Sequence, residues 1–139
     1  MNIYFSCSIT GGRQDQMTYA AIVDTLIEKG HTVLTAHLAS KDIMKAEQVV
    51  DPIEVYKRDM AWVAACDVLI AEVSTPSHGV GYEIARAISL KKDVLCCYAQ
   101  GKRVSKILTG NTEENCSIYQ YPSTDELLNF IDTYLMKMR

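Results

Sequence analysis

The stretch Pro76-Ser-His-Gly-Val-Gly-Tyr-Glu83 brings a hydroxyl, two glycines and a carboxylate together within eight positions. Glycines let a backbone approach a ligand closely. An ionised carboxylate beside such a loop can act as a nucleophile or as an electrostatic stabiliser. We expect Glu83 in the first turn of a helix, where the helix dipole favours the ionised form. The alternative is a glutamate that only completes a helix N-terminus, the commoner case for a single residue.

A second loop of small residues, Ser8-Ile-Thr-Gly-Gly-Arg13, follows the first apolar segment and precedes a helical pattern. The N–H groups of that helix would point at an anion. The loop is neither the G-x-G-x-x-G fingerprint nor a P-loop, since no Gly-Lys-Ser/Thr follows. An ordinary tight turn explains this loop equally well when it is taken alone. Two such loops at adjacent strand ends favour a ligand site, because a structural turn does not require duplicated hydroxyls.

Asp59 is the second candidate acid, in the stretch Tyr56-Lys-Arg-Asp-Met-Ala-Trp62. It lies four residues from both Val55 and Val63, so the helical period places it on or beside the buried face. A carboxylate there is costly unless it is paired or functional. A surface aspartate paired with Lys57 or Arg58 is an equally good interpretation of the pattern.

Three further polar residues carry weaker signals. Tyr4 lies in the first apolar segment, where a core tyrosine with a satisfied hydroxyl is the simplest interpretation. Glu72 closes an apolar segment, and we expect it at the solvent edge of a strand. His37 follows the second strand, where it could face a ligand.

Apolar segments alternate with helical patterns along the chain, and this order sets the fold. We expect strands at 2–7, 31–35, 67–73, 93–98 and 117–121, helices at about 13–29, 52–65, 82–90, 104–108 and 124–136, and a loop from residue 36 into the forties. This predicts a doubly wound α/β fold, flavodoxin/Rossmann-like, with a five-stranded parallel sheet, order 2-1-3-4-5, and helices on both faces. Ligands bind such folds beyond the carboxyl ends of the strands, at the switch point between strands one and three, where residues 6–12 lie.

Composition limits the class of protein. A chain of 139 residues, 48% hydrophobic, suits one domain spanning 1–139. The net charge of −3 argues against a nucleic-acid polymer or an anionic membrane as partner, and no apolar run is long enough to span a bilayer. The five cysteines include no C-x-x-C pair and predict reduced thiols in a cytoplasmic protein. We expect no zinc site, no other metal and no cofactor.

Together these stretches resemble the nucleoside 2-deoxyribosyltransferase superfamily, and within it the 2′-deoxynucleoside 5′-monophosphate N-glycosidases of the 5-hydroxymethyl-dUMP N-hydrolase type. The resemblance is carried by Ile3-Tyr-Phe-x-x-Ser-Ile-x-Gly-Gly-Arg13, Val33-Leu-Thr-x-His37, Asp59-x-x-Trp62, Ala65-x-Asp-Val-x-x-Ala-Glu-Val73 and Pro76-Ser-x-Gly-Val-Gly-Tyr-Glu-x-x-Arg-Ala87. It runs in register through the short helix near Ser105 and more loosely to the end.

The resemblance implies a hydrolase that cleaves the N-glycosidic bond of nucleoside 5′-monophosphates. Glu83 is implied as the nucleophile that attacks C1′ of the sugar and forms a covalent glycosyl-enzyme. Asp59 is implied as the proton donor to the departing base, and Tyr4 as part of the polar group around the reacting sugar. An oxocarbenium-like transition state needs such a carboxylate beneath C1′ and an acid at the leaving group.

The resemblance also implies a set of substrate-binding residues and a homodimer. Ser105 would reach the phosphate in the neighbouring subunit's site, His37 would lie on the base side, and most of the others would hold the 5′-phosphate. The implied residues are Cys7, Ser8, Ile9, Thr10, Gly11, Gly12, Arg13, His37, Ser77, Gly79, Ser105, Lys106 and Ile107.

The chain departs from the family pattern at three places. Cys7 stands where the family usually has glycine, Thr10 replaces an arginine before the double glycine, and Ala36 replaces an acidic residue before the histidine. The lost arginine removes a charge-assisted phosphate contact. Two alternatives stay open: a deoxyribosyltransferase that passes the sugar to another base, and a nucleotide-sensing domain without turnover.

Overall fold

A computed structural model of the chain describes residues 1–9, 15–40 and 42–138, except the side chain of Met44. The predicted site residues Thr10, Gly11, Gly12 and Arg13 lie outside the described residues. Within that part, the strands are β1 Asn2–Ser6, β2 Thr32–Val33, β3 Val68–Glu72, β4 Asp93–Ala99 and β5 Cys116–Tyr121. The helices are α1 Gln16–Glu28, α2 Ile43–Gln48, α3 Pro52–Ala65, α4 His78–Ser89, α5 Lys106–Thr109 and α6 Thr124–Lys137, with a 3₁₀ helix at Ala36–Ala39.

The five strands form one parallel sheet in the order β2-β1-β3-β4-β5, which confirms the predicted topology. Alternate residues of each strand enter two separate cores, because side chains in a strand alternate between the two faces. Phe5 and Ile70 pack beneath α1 and α6, whereas Tyr4 and Leu69 pack beneath α3 and α4. The doubly wound α/β architecture is therefore confirmed, and β1 and β3 lie side by side at its centre with Ser6 opposite Ala71.

Helix α3 begins at Pro52, as the sequence predicts. The side chain of Asp51 accepts a hydrogen bond from the backbone N–H of Ile53 at 2.8 Å. Proline at the first helical position loses no hydrogen bond, because its missing N–H would have no partner inside the helix.

Helix α4 begins at His78, four residues before the predicted start, and this corrects the sequence interpretation. Glycines at 79 and 81 suggested a loop, since each costs about 1 kcal/mol in a helix relative to alanine. Burial of Val80 and Ile84 against the sheet outweighs that cost, at about 1.5–3 kcal/mol for each side chain. Glu83 consequently lies in the second turn rather than the first, so the expected effect of the helix dipole on its carboxylate does not apply.

The segment after β2 was expected to be a loop, and it instead contains the 3₁₀ helix and α2. Both are too short to be stable alone, and they depend on packing of Leu38, Ala39 and Ile43 into the core. β2 itself ends at Val33, earlier than predicted. Two residues on, the Thr35 hydroxyl donates to the Phe5 carbonyl at 2.6 Å and accepts from the Phe5 N–H at 2.9 Å, in place of backbone partners.

Two further observations concern the whole of the described chain. None of the helices in these residues has both the length and the apolar character required to cross a membrane. All five cysteines lie in the described ranges and are thiols rather than disulfides.

Candidate active site

A cavity of about 350 Å³ opens at the carboxyl edge of the sheet, where β1 and β3 end. The loop after β1 and the first turns of α4 form one part of its wall, and α2 and α3 form another. The residues that line it are Cys7, Ile9, Leu38, Glu47, Val50, Pro52, Val55, Asp59, Ser77, Gly79, Val80 and Glu83. The structure thus brings together six of the predicted site residues, namely Cys7, Ile9, Asp59, Ser77, Gly79 and Glu83.

Glu83 projects from α4 toward the end of β1, where two hydroxyls hold its carboxylate. The Tyr4 hydroxyl donates to Oε1 at 2.8 Å, and the Ser6 hydroxyl donates to Oε2 at 2.5 Å. Tyr4 and Ser6 are two residues apart on a strand, so they point to the same face. Each carboxylate oxygen therefore has one fixed donor, and the carboxylate plane is fixed relative to the cavity.

Neighbouring groups and burial shift the pKa of the Glu83 carboxyl in opposite directions. Burial raises the pKa of its carboxyl above the ordinary value, and the Asp59 carboxylate raises it further. The hydroxyls of Ser6 and Tyr4 and the Arg58 guanidinium act in the opposite direction, because they stabilise the charged form. Burial also raises the pKa of the Tyr4 hydroxyl far above its usual range, so Tyr4 stays a donor.

Asp59 lies on α3, buried, in the wall of the same cavity. Its Oδ1 accepts a hydrogen bond from Nε of Arg58 at 2.8 Å. Both interpretations of the sequence were therefore partly right, since Asp59 is on the buried face and also paired with its neighbour. Lys57 instead pairs with Glu54 on the exposed side of the helix, at 3.9 Å.

The N-terminus of α4 provides polar groups at the cavity wall. The side chain of Ser77 accepts from the N–H of Val80 at 3.4 Å and so caps the helix. A methyl group added at Gly79 would meet only the Ser77 hydroxyl, at 3.9 Å, so packing within the protein does not require glycine there. Ser8, which stands in the chain between the cavity-lining residues Cys7 and Ile9, is fully buried, and its Oγ has no hydrogen-bond partner among the residues the structure describes.

His37 and the α5 residues do not line this cavity in the single chain. His37 is exposed; its ring lies 5.6 Å from that of Trp62, and its Nε2 lies 3.4 Å from Oε1 of Glu47. Ser105 and Ile107 line a second cavity of about 330 Å³, which shares Ser77 and Val80 with the first. Lys106 is exposed at the start of α5.

Two polar residues of the site, Ser6 and Glu47, were absent from the sequence-based set. Ser6 could have been found, because its position two residues after Tyr4 puts both hydroxyls on one face of the strand. Glu47 had no comparable signal, since it lies on α2, a helix that the sequence did not predict. Its carboxylate lines the cavity and lies 3.2 Å from Nη2 of Arg58.

Glu72 was expected at the solvent edge, and the structure shows instead that it is fully buried. The hydroxyls of Ser74 and Tyr121 both donate to its Oε1, the latter at 2.9 Å. Burial raises the pKa of this carboxyl. The residue lies on the α1 and α6 side of the sheet and does not line the cavity. Among the described residues no group of three or more metal-ligating side chains is found.

Comparison with known proteins identifies the family of the chain. The sequence profile described as nucleoside 2-deoxyribosyltransferase matches residues 3–128. The chain belongs to the nucleoside 2-deoxyribosyltransferase family. Its matched region contains Tyr4, Ser6, Asp59 and Glu83, so the polar groups around the cavity are part of the family domain.

Individual relatives extend the comparison. A chain of Methanosarcina barkeri with the provisional name 2′-deoxynucleoside 5′-phosphate N-hydrolase 1 is 40% identical over 136 residues, which are 98% of this chain and 86% of the relative. The 5-hydroxymethyl-dUMP N-hydrolase of Danio rerio is 38% identical over 137 residues, covering 96% of this chain and 95% of the relative. The structure of the CMP N-glycosidase of Clostridium botulinum superposes with a TM-score of 0.75 at 22% identity, covering 96% of this chain and 99% of that one, and shows the same fold.

Proposed function

We propose that this protein is an N-glycosidase that hydrolyses (2′-deoxy)nucleoside 5′-monophosphates to free base and (deoxy)ribose 5-phosphate. The relatives named above are N-hydrolases of nucleotides and cover nearly the whole chain. The observation that carries the proposal is the carboxylate of Glu83, held by two hydroxyls in a cavity whose wall also contains Asp59. A pair of carboxylic acids around one sugar is the usual arrangement for glycoside cleavage.

In the first step, Oε1 or Oε2 of ionised Glu83 attacks C1′ of the sugar. The bond from C1′ to the base nitrogen breaks, its electron pair goes to the base, and Asp59 passes a proton, taken up from solvent when the substrate binds, to the leaving base. The product is an ester between Glu83 and the sugar. Tyr4 and Ser6 keep the carboxylate plane fixed during the attack, so little reorganisation is needed.

In the second step, water replaces the base. The Asp59 carboxylate takes a proton from the water, the water oxygen attacks C1′, and the ester bond to Glu83 breaks with its electron pair returning to the carboxylate. Asp59 is then protonated and Glu83 ionised, as before the first step. Two successive displacements at C1′ give retention of configuration.

The 5′-phosphate would be held at the N-terminus of α4 and by the loop after β1. The first N–H groups of an α-helix lack partners inside the helix and favour an anion. Ser77, Gly79 and Ser8 are the described residues that support this placement: the first two line the cavity, and the buried hydroxyl of Ser8 would gain a partner. The predicted contributions of Thr10, Gly11, Gly12 and Arg13 belong to the same proposal.

The protein would act as a homodimer of single catalytic domains on free nucleotides in the cytoplasm. Ser105 would enter the neighbouring subunit's site, which is consistent with its exposure at the N-cap of α5 and with its absence from the lining of the first cavity. A dimer that shares sites can be tested by mixing two inactive variants, Glu83→Gln and Ser105→Ala. Random re-pairing would restore one complete site in each mixed dimer, about a quarter of all sites. Activity no higher than the mean of the two separate variants would contradict the shared site.

The activity itself is tested by incubating the protein with a panel of deoxynucleoside monophosphates, with and without an added free base, and measuring free base and sugar phosphate. We expect equimolar release of base and deoxyribose 5-phosphate, and no turnover by Glu83→Gln that remains folded. Transfer product in excess of free sugar phosphate would show a deoxyribosyltransferase instead. Tight nucleotide binding with no base released would show a nucleotide-sensing domain.

A further inference from the structure

Glu47 is the third acidic residue in the cavity wall, and the proposed reaction does not use it. It lies at the end of α2, its side chain is 16% exposed, and it lines the cavity with Asp59 and Glu83. Arg58 joins the two acids of this wall: Nε contacts Asp59 at 2.8 Å, and Nη2 lies 3.2 Å from Oε1 of Glu47. Glu47 is thus positioned from the same helix that carries the proposed proton donor to the base.

The contacts of Glu47 fall on one carboxylate oxygen. Oε1 lies within ion-pair distance of Nη2 of Arg58 and of Nε2 of His37, at 3.2 and 3.4 Å. No hydrogen bond or ion pair links Oε2 to any residue in 1–9, 15–40 or 42–138. The Arg58 guanidinium also lies over the ring of Trp62 at 5.1 Å, so the cation that holds Glu47 is itself fixed. One oxygen is therefore anchored, and the other is available to a ligand.

The surroundings of Glu47 suit a flat aromatic base. The phosphate donors proposed above come from α4 and the β1 loop, whereas α2 and α3 form another part of the wall, which contains the proposed proton donor Asp59. That part is largely apolar, as expected where a base is buried. Besides the acids it is formed by Leu38, Val50, Pro52 and Val55.

An ionised carboxylate can only accept hydrogen bonds, so it discriminates between base edges. The amino groups of cytosine (N4) and adenine (N6) donate to it, in the way that glutamate and aspartate accept from cytosine N4 in DNA grooves. Carbonyl oxygens at the corresponding positions of uracil and hypoxanthine would face it lone pair to lone pair. A site built to bond one group rejects an analogue that lacks it, because a buried polar group is then left unpaired.

We propose that Glu47 is the base-selecting residue of this site, and that its carboxylate accepts a hydrogen bond from an exocyclic amino group. The site then prefers nucleotides with amino-bearing bases over their oxo counterparts. This inference rests on the proposed function, because it assigns the base to the α2 and α3 wall of the same cavity. His37 and Arg58 act as positioning residues for the carboxylate.

The test compares kcat/KM for two matched substrate pairs, dCMP with dUMP and dAMP with dIMP, in each of which the second member has a carbonyl oxygen where the first has an exocyclic amino group. We expect the wild-type protein to favour the amino member of each pair roughly tenfold or more, the range for a hydrogen bond to a charged group. Glu47→Gln should reduce that ratio about tenfold, because an amide can also donate to a carbonyl. Glu47→Ala should abolish the preference without reversing it. The matched control is Glu54→Gln, a 67% exposed glutamate on α3 that pairs only with Lys57 among the described residues, and it should leave the ratio unchanged.

The outcomes separate this inference from the proposed function. If Glu47→Gln lowers kcat equally for all four substrates, Glu47 only supports Arg58 and Asp59, and base selection is refuted. A wild-type preference for the oxo member of both pairs would refute it too. If the wild-type protein hydrolyses none of the four nucleotides, the proposed function fails. In that case, dissociation constants of the same nucleotide pairs, measured by calorimetry, decide whether Glu47 selects the base. The wild-type protein and the Glu47 variants should show the same preferences in binding as predicted for kcat/KM. A ratio of dissociation constants that is the same in Glu47→Gln as in the wild-type protein would overturn the inference.

Discussion

The hydrogen bond from Ser6 to Glu83 should control the pH at which the protein becomes active. Ser6→Ala removes the donor to Oε2 and leaves the Tyr4 donor to Oε1 in place. A hydrogen bond to a charged group in a buried setting contributes about 1.5–3 kcal/mol. Since about 1.4 kcal/mol corresponds to one pH unit, the pKa of Glu83, already raised by burial, should rise by a further one to two pH units. As the proposed nucleophile, Glu83 must be ionised, so the acid limb of the pH profile should move to higher pH.

The assay is the pH dependence of kcat/KM for a deoxynucleoside monophosphate, which reports groups of the free enzyme. Ser6→Ala should lose activity mainly at low pH and recover much of it as the pH rises above the shifted pKa. Ser8→Ala is the control, since it removes a hydroxyl at the same strand end that does not contact Glu83. It should weaken substrate binding without moving the acid limb. An acid limb at the wild-type position in Ser6→Ala, with activity lowered equally at every pH, would refute the assignment of that limb to Glu83.

Three other predictions follow from the same contacts. Because the folded-state pKa of Glu83 is raised, its carboxyl stabilises the fold fully only below the unfolded pKa, and this stabilisation is lost as pH rises through the folded pKa. The melting temperature of Glu83→Gln should therefore equal or exceed that of the wild-type protein at neutral pH, and the difference should shrink as the pH is lowered. Gly79→Ala should fold normally, yet its kcat/KM should fall roughly tenfold through a raised KM, because the proposed phosphate packs against Gly79. The control Gly81→Ala, whose added methyl group has nothing within 4 Å, should keep wild-type kinetics. Glu72→Gln should change neither kcat/KM nor its acid limb, as measured by the same pH profile, because Glu72 does not line the cavity.

The sheet was predictable from the sequence because its strands are buried on both faces. The run from Val68 to Val73 is apolar apart from one residue, and only a central parallel strand covered by helices buries such a run completely. Alternation with helices then leaves few topologies, and the predicted order was right. Asp59 was predictable as a candidate because its helical spacing puts a carboxylate on or beside the buried face. Glu83 was predictable as a candidate because it follows a loop of small residues between a strand and a helix.

The remaining features depend on contacts between distant segments. The predicted start of α4 was wrong because local propensity treats Gly79 and Gly81 as helix breakers. The packing of Val80 and Ile84 against the sheet outweighs that propensity and extends the helix to His78. α2 has only six residues and forms because Ile43 enters the core. Without α2, no reading of the sequence could place Glu47 in the cavity.

Glu83, the proposed nucleophile, and the buried Glu72 differ in how their carboxylates are hydrogen-bonded. Each lies at the carboxyl edge of the sheet, each accepts from one tyrosine and one serine, and burial raises the pKa of each. The donors of Glu83 are spread over both oxygens and favour its charged form. Those of Glu72 meet at Oε1, and its buried Oε2 has no hydrogen-bond partner in the described part of the chain. A charged Glu72 would leave that oxygen unsolvated, which favours the neutral acid. Of the two, only Glu83 has a hydroxyl donor at each carboxylate oxygen and lines the cavity, and both features suit the proposed nucleophile.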